Sequence, residues 1–365
     1  MRPTALSRRP GGGQVTDHSP TNVDHHPRRY SRRDCLRLGA AASLAAWAGR
    51  SPAWAAARGS EARSPGFELL DLDWSDPRRQ RAVPVRLYLP QAESPSAAMP
   101  NTRRSPMVVF SHGIGGSRLG YTWLGQHIAR HGIASLHLQH VGSDRTVWRG
   151  NVFGLVGRLQ SAAQEQEAMA RVEDLRFALD TLLASELGTR IDAQRIVAGG
   201  HSYGANTTLL AAGARVSRAG GVVDLADARI RAAVVISAPP FYGERNLSPI
   251  LAPVAVPSLH VTATEDVIRI PGYFSGAEDR VKVFEATGGS RKWLAVYEGG
   301  SHSMFTDRRG SGGATLNPRV KQATQDLVLA FLREVFDGDG SALAAWPQRH
   351  TELLARFTAP EGWAR

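Results

Sequence analysis

Residues Gly200-His201-Ser202-Tyr203-Gly204 leave the backbone few paths. Arg195–Gly199 before them reads as a short buried strand, and Ala205–Ala212 after them as a helix. A Gly-x-Ser-x-Gly between strand and helix predicts a turn so tight that Ser202 is strained. The residues two positions to either side must be small, because strand and helix nearly touch there. Ser202 then projects its hydroxyl at a helix N-terminus, where the dipole favours a developing negative charge. Taken alone, the five residues fit a glycine-rich turn holding an incidental serine equally well. The rest of the chain has to separate the two.

At 365 residues with 42% hydrophobic content, the chain can bury a large core. Its net charge of +11 is unevenly spread: residues 1–55 carry nine Arg and three Asp, leaving +5 for the rest. No block of five or six like charges follows, which argues against a nucleic-acid partner. The single cysteine, Cys35, also lies in this leader, so the body has no disulfide and no cysteine-based metal site or nucleophile. Ser31-Arg32-Arg33-Asp34-Cys35 precedes an Ala-rich apolar run and then Ala53-Trp54-Ala55. That order is the anatomy of an export signal, too short and too Ala-rich for a membrane span. The paired arginines resemble the twin-arginine signal, which addresses folded proteins for export. The expectation is therefore a disordered N-terminus and export signal over 1–55. It is followed by one domain over 56–365, periplasmic or secreted, that reaches its place through the twin-arginine machinery and keeps no membrane span.

In the body, Phe67–Trp74 and Val83–Leu89 predict an antiparallel pair at a sheet edge, and 90–106 a Pro-rich loop. Met107–Phe110, Ile133–Leu138, Ile230–Ile236, Ser258–Val261 and Lys292–Tyr297 predict buried strands. Helices are expected over about 121–131, 164–187 and 318–336, a polar and aromatic excursion over 145–165, and a surface loop over 217–227. The residues after 337 predict nothing definite. Strands alternating with helices imply a mostly parallel central sheet flanked by helices on both faces, with its chemistry beyond the carboxyl ends of the strands.

Three residues fall at such ends in the order Ser202, Asp266, His302. A serine hydroxyl needs an adjacent base to act as a nucleophile; His302 would take its proton, and Asp266 would orient the imidazole. Glu265 competes for the acid position. The order is that of α/β-hydrolases. Gly299-Gly300-Ser301 predict a mobile loop delivering His302. Ser111–Gly116 fits an oxyanion hole, with backbone N–H donors from Ile114 and Tyr203; it lacks the patterns of a phosphate-binding loop. His201 is expected to pack rather than react. His137 and His140 suggest a metal pair only weakly, since no further ligand cluster accompanies them. Tyr121, Trp123, Trp148, Met304 and Phe305 are pocket candidates by loop position.

Phe110–Arg118, His137–Asp144 and Gly200–Gly204 together resemble the bacterial dienelactone-hydrolase-like and platelet-activating-factor-acetylhydrolase-like group, over about residues 67–336. The resemblance implies an α/β-hydrolase fold and serine esterase chemistry at Ser202, Asp266 and His302, without metal or cofactor. Dienelactone hydrolases proper carry a cysteine where Ser202 stands, and the acetylhydrolases a Phe where Tyr203 stands. The expected substrate is a small-molecule or lipid ester: a short-chain acyl ester, an acetylated phospholipid or a polyester fragment. A serine peptidase or amidase on the same fold, or a non-catalytic binding module, are the alternatives.

Overall fold

The apolar runs of the sequence lie side by side in the computed structural model, which describes residues 66–91, 104–241, 244, 246–270, 273–307 and 315–363. The leader expected over 1–55 lies outside the described residues. The strands are β1 (Phe67–Asp76), β2 (Arg81–Pro90), β3 (Ser105–Ser111), β4 (Ala134–Leu138), β5 (Ile191–His201), β6 (Arg215–Arg218), β7 (Gly221–Asp224), β8 (Ile230–Ile236), β9 (Ser258–Glu265), β10 (Ile268–Ile270), β11 (Tyr273–Ser275), β12 (Lys292–Ser301) and β13 (Leu354–Thr358). Nine of them form the main sheet, in the order β1-β2-β4-β3-β5-β8-β9-β12-β13. From β4 through β12 the neighbours run parallel. The antiparallel pairs β1/β2, β2/β4 and β12/β13 lie toward the two edges.

Eight helices accompany the strands among the described residues: α1 (Thr122–Arg130), α2 (Leu155–Ala162), α3 (Glu165–Ala184), α4 (Tyr203–Ala211), α5 (Ser248–Leu251), α6 (Ala277–Ala286), α7 (Leu316–Asp337) and α8 (Ser341–Arg349). Central strands buried on both faces need apolar residues at every position, and consecutive ones must enter opposite cores. Val109, Ala198 and Val235 join one cluster, while Val108, Val197 and Val234 join the other. The first core is closed by α3, through Val172, Leu175, Leu179 and Leu182 at helical spacing, and by Ala205 and Leu209 of α4. The second is closed by Leu124 and Ile128 of α1, Val320, Leu327 and Phe331 of α7, and Leu343 and Trp346 of α8.

Three segments differ from expectation. Residues 217–227 are no simple loop: β6 and β7 pair as a hairpin from Arg215↔Asp224 to Arg218↔Gly221, too short for its alternation to register in the sequence. The 145–165 excursion folds as two 3₁₀ turns and α2. The residues after 337, unread in the sequence, form α8 and β13, the latter closing the sheet against β12.

Trp346 ties this C-terminal segment to the core. It is fully buried, and its indole N–H donates to the Ala323 carbonyl at 2.9 Å. Trp346→Ala should destabilise the protein by about 3–5 kcal/mol, the usual range for truncating a buried Trp. Urea unfolding of the variant and wild type checks this; a change under 1 kcal/mol (roughly a surface-substitution effect) would mean α8 is not part of the core.

Candidate active site

The turn between β5 and α4 has the strain its sequence predicts. Ser202 sits at φ 56°, ψ −124°, outside the regions a residue with a Cβ normally occupies. A Cβ on Gly204 would overlap the Ser111 carbonyl oxygen at the end of β3, and one on Gly200 would overlap Gly204. The two glycines therefore let β3, β5 and α4 converge, which places the Ser111–Gly116 loop beside the Ser202 hydroxyl.

Three side chains from separate strand ends meet there. His302 Nδ1 lies 2.7 Å from Asp266 Oδ1, so this nitrogen carries the proton and donates to the carboxylate. Nε2 is then free to accept, and the Ser202 hydroxyl lies 2.8 Å from it. Asp266 is fully buried and also accepts from the Thr262 hydroxyl at 2.8 Å. Burial opposes its charge, but His302 and then the Arg280 guanidinium, 3.5 Å away, hold the carboxyl well below its usual range. Glu265, the rival acid, is exposed. The expected mobile loop before His302 is instead fastened. β12 runs through Gly299 and Gly300 to Ser301, which pairs with Glu265, and the Gly299 N–H donates to the Thr264 hydroxyl at 2.8 Å. His302 opens a 3₁₀ turn directly after the strand.

The oxyanion-loop candidates lie across from this trio. Gly115 N–H donates to Ser143 O at 2.8 Å and Gly116 N–H to Gly113 O at 3.0 Å. Among the described residues no hydrogen bond of the fold uses the N–H of Ile114 or of Tyr203, the two predicted donors. Behind the loop is a buried polar network that motif reading missed. The Arg171 guanidinium, with no exposed surface, donates to the His112 carbonyl, to Ser143 Oγ at 2.8 Å and to Thr207 Oγ1 at 2.9 Å, and lies 4.8 Å over the Tyr203 ring. Burial pushes it down to about 10, so it stays charged at neutral pH. His140 donates from Nδ1 to Asp174 Oδ2 at 3.1 Å and accepts at Nε2 from the Ser111 hydroxyl at 3.0 Å. Asp174 in turn accepts from Arg79 of the β1–β2 turn and Arg81 at the start of β2, both at 2.9 Å. The only sequence signal was a set of polar residues on the inner face of α3.

The histidines sort by their partners. His112 Nε2 accepts from the His140 N–H at 3.1 Å, so its Nδ1–H donates to Gly113 O at 2.7 Å. His201 accepts at Nδ1 from the Tyr121 hydroxyl at 2.9 Å and donates from Nε2 to the His302 carbonyl at 3.0 Å. It packs, and it also anchors the backbone of His302. His137 and His140 are each held by protein partners. Among the described residues no three His, Cys, Asp or Glu converge as a metal site.

Ser202 and His302 line a cavity of about 740 Å³. Of the five pocket candidates, Tyr121 and Trp148 line it, the Trp148 indole donating to Gly115 O at 2.9 Å. Met304 and Phe305 do not. They turn inward from the 3₁₀ turn after His302 and are fully buried in the second core, and Trp123 packs on that core and donates to Phe305 O. The apolar wall that sequence reading missed is Ala168, Met169, Leu210, Val216, Val223 and Leu225, brought together from α3, α4 and the β6–β7 hairpin.

Five buried histidines make folding sensitive to acid. Burial pushes His137 down to about 4 and His201 and His260 to about 3, and pushes His112 and His140 well below the ordinary value. The unfolded chain titrates near 6.5, so below that pH it binds more protons than the native state and stability falls, by about 1.4 kcal/mol per pH unit per group. Asp174, pushed up by burial, works in the opposite direction as the pH falls. Calorimetry at pH 7.5 and 5.0 should show Tm lower at the acid pH by roughly 10 °C or more. A flat Tm would mean these rings carry protons in the folded protein.

Comparison with known proteins agrees with this architecture. A family model described as platelet-activating factor acetylhydrolase, isoform II, matches residues 84–149, which include the Ser111–Gly116 loop but not Ser202, Asp266 or His302. No curated protein sequence matches the chain. Among solved structures, a ferulic acid esterase from Streptomyces cinnamoneus superposes with a TM-score of 0.53 at 22% sequence identity, over 76% of this chain and 92% of that one. The strand order, the strand–Ser202–helix turn and this likeness make the chain an α/β-hydrolase by fold.

Proposed function

We propose that the protein is a serine hydrolase of carboxylic esters that works through an acyl-serine intermediate. The observation that carries the reading is the Ser202–His302–Asp266 relay at 2.8 and 2.7 Å on the wall of a cavity with an apolar side. Ser202 Oγ attacks the ester carbonyl carbon while His302 Nε2 takes its proton, and Asp266 stabilises the imidazolium. The carbonyl oxygen gains a negative charge between the N–H groups of Ile114 and Tyr203. As the carbon–alkoxy bond breaks, Nε2 returns the proton to the departing alcohol. Water then attacks the acyl-serine by the same route and releases the acid.

This chemistry orients the substrate. The alcohol must leave beside His302, where Val267, Arg269, Tyr273 and Thr306 line the cavity. The acyl group stays through both steps and points away, toward Met169, Leu210, Val216 and Leu225. The partial family match and the esterase likeness support ester substrates, whether short-chain acyl esters, acetylated phospholipids or polyester fragments. We also propose that the leader directs export by the twin-arginine route, to the periplasm or beyond.

A fluorophosphonate probe should label the wild type and not Ser202→Ala, and the variant should lose p-nitrophenyl acetate turnover on the order of a million-fold. A folded wild type that takes no label would overturn the hydrolase reading, and faster turnover of aminoacyl anilides than of esters would make it an amidase. Arg32→Lys/Arg33→Lys should leave the protein unprocessed in the cytoplasm; normal export would remove the twin-arginine assignment.

A further inference from the structure

The loop and the helix that carry Ile114 and Tyr203 have one buried side chain in common. Arg171, on α3, has no exposed surface. Its guanidinium donates in three directions: to the His112 carbonyl, to Ser143 Oγ at 2.8 Å and to Thr207 Oγ1 at 2.9 Å. Both hydroxyls have their own proton committed elsewhere and so can only accept from it. Ser143 donates to Glu167 Oε1 at 2.8 Å, and Thr207 to the Tyr203 carbonyl at 3.2 Å.

These bonds reach both N–H groups by short paths. A trans peptide holds its N–H antiparallel to its C=O, so the Ile114 N–H points away from the Gly113 carbonyl. That carbonyl is fixed by His112 Nδ1–H at 2.7 Å and the Gly116 N–H at 3.0 Å. Arg171 grips the next link on either side. Before Gly113 it holds the His112 carbonyl; after Ile114 it holds Ser143, whose own carbonyl accepts from the Gly115 N–H at 2.8 Å. On α4 the Tyr203 N–H opens the helix, Thr207 stands one turn on, and the guanidinium lies 4.8 Å over the Tyr203 ring. One planar group therefore sets the separation between the loop and the helix. Its charge is also uncompensated. Among the described residues Arg171 forms no ion pair: Glu167 is bound to Arg81, and Asp174 to Arg79 and Arg81. A buried cation without a counter-ion is costly, and an apolar side chain would fill the space at less cost. A negative charge forming nearby offsets that cost at the moment it appears.

We propose that Arg171 is a positioning residue of the oxyanion hole. It holds the Ile114 and Tyr203 N–H groups at the separation the tetrahedral oxyanion needs, and its unpaired charge favours that anion over the neutral ester. The role in catalysis rests on the serine-hydrolase reading above. Arg171 does not line the cavity, so it acts through the loop and the helix and not on the substrate. Its removal therefore slows the step that forms charge and leaves the binding of a neutral ester nearly as it was.

The test compares the wild type with Arg171→Met, Arg171→Lys and Ser143→Ala. Active sites are counted by fluorophosphonate labelling carried to completion, so that misfolded protein drops out of the rates. For p-nitrophenyl acetate, kcat per labelled site should fall about 100-fold in Arg171→Met, the usual cost of losing one oxyanion donor, with KM within about threefold of wild type. Inhibition by a trifluoromethyl ketone, whose Ser202 adduct carries the same charged oxygen, should weaken in proportion to the fall in kcat/KM. Arg171→Lys keeps the charge but not the planar fork, and should lose less than Arg171→Met. Ser143→Ala removes one acceptor outside the cavity and should lose about tenfold. A lower melting temperature with kcat per site and ketone inhibition unchanged would make Arg171 merely structural and overturn the proposal, as would a loss confined to KM. If Arg171→Met does not fold, the other two variants decide by the same readings. The rate of labelling separates this proposal from the ester reading, because a fluorophosphonate also builds charge on an oxygen in the same hole. A wild type that labels at Ser202 but hydrolyses no ester sinks the ester reading. Slower labelling of the variants then upholds the positioning role, and an unchanged rate sinks it too.

Discussion

The close approach of the β3 terminus to the first turn of α4 is the constraint on which the site depends. Gly204 lies so near the Ser111 carbonyl that no side chain fits between them. The nucleophile candidate and the loop facing it are therefore held by main chain, not by adjustable side chains. Strain at Ser202 is one consequence, and strained residues persist only where the surroundings over-determine them. Here the surroundings are a parallel sheet buried on both faces and a helix whose residues 204–211 are all buried.

A second layer of constraint comes from charge. Arg171 binds three groups, one on the oxyanion loop, one on the loop after β4 and one on α4, and a buried cation is tolerated only when its donors are satisfied. The Asp174 carboxylate links that region to the β1–β2 turn through Arg79 and Arg81 and to Ser111 through His140. The Ser111–His140–Asp174 array copies the bonding of the Ser202–His302–Asp266 array, yet all three of its members are buried without exposure. Burial separates a relay that can meet substrate from one that holds a loop in place.

Much of the sheet was legible because strand burial writes itself into sequence as continuous apolar runs, such as Ala232–Ile236. The elbow was legible because glycine at both flanks of Ser202 is a steric necessity. The hairpin at 215–224 was not, since four-residue strands carry too little alternation. Nor was the C-terminal strand, whose Leu354–Thr358 mixes Arg and Thr with apolar residues because it is an edge with exposed positions. Loop position misassigned Trp123, Met304 and Phe305 to the pocket: the 3₁₀ turn at His302–Phe305 sends Met304 and Phe305 into the second core, and Trp123, on α1, packs against that same core.

Sequence alone determined the alternation of strand and helix, the strained serine turn and the order Ser202, Asp266, His302, because each rests on local sterics or on burial periodicity. Tertiary structure alone decided which carboxylate meets His302, which histidines lock into neutral tautomers, and which aromatic rings face the cavity. These are contacts between residues as far as 182 positions apart, and no local pattern encodes them.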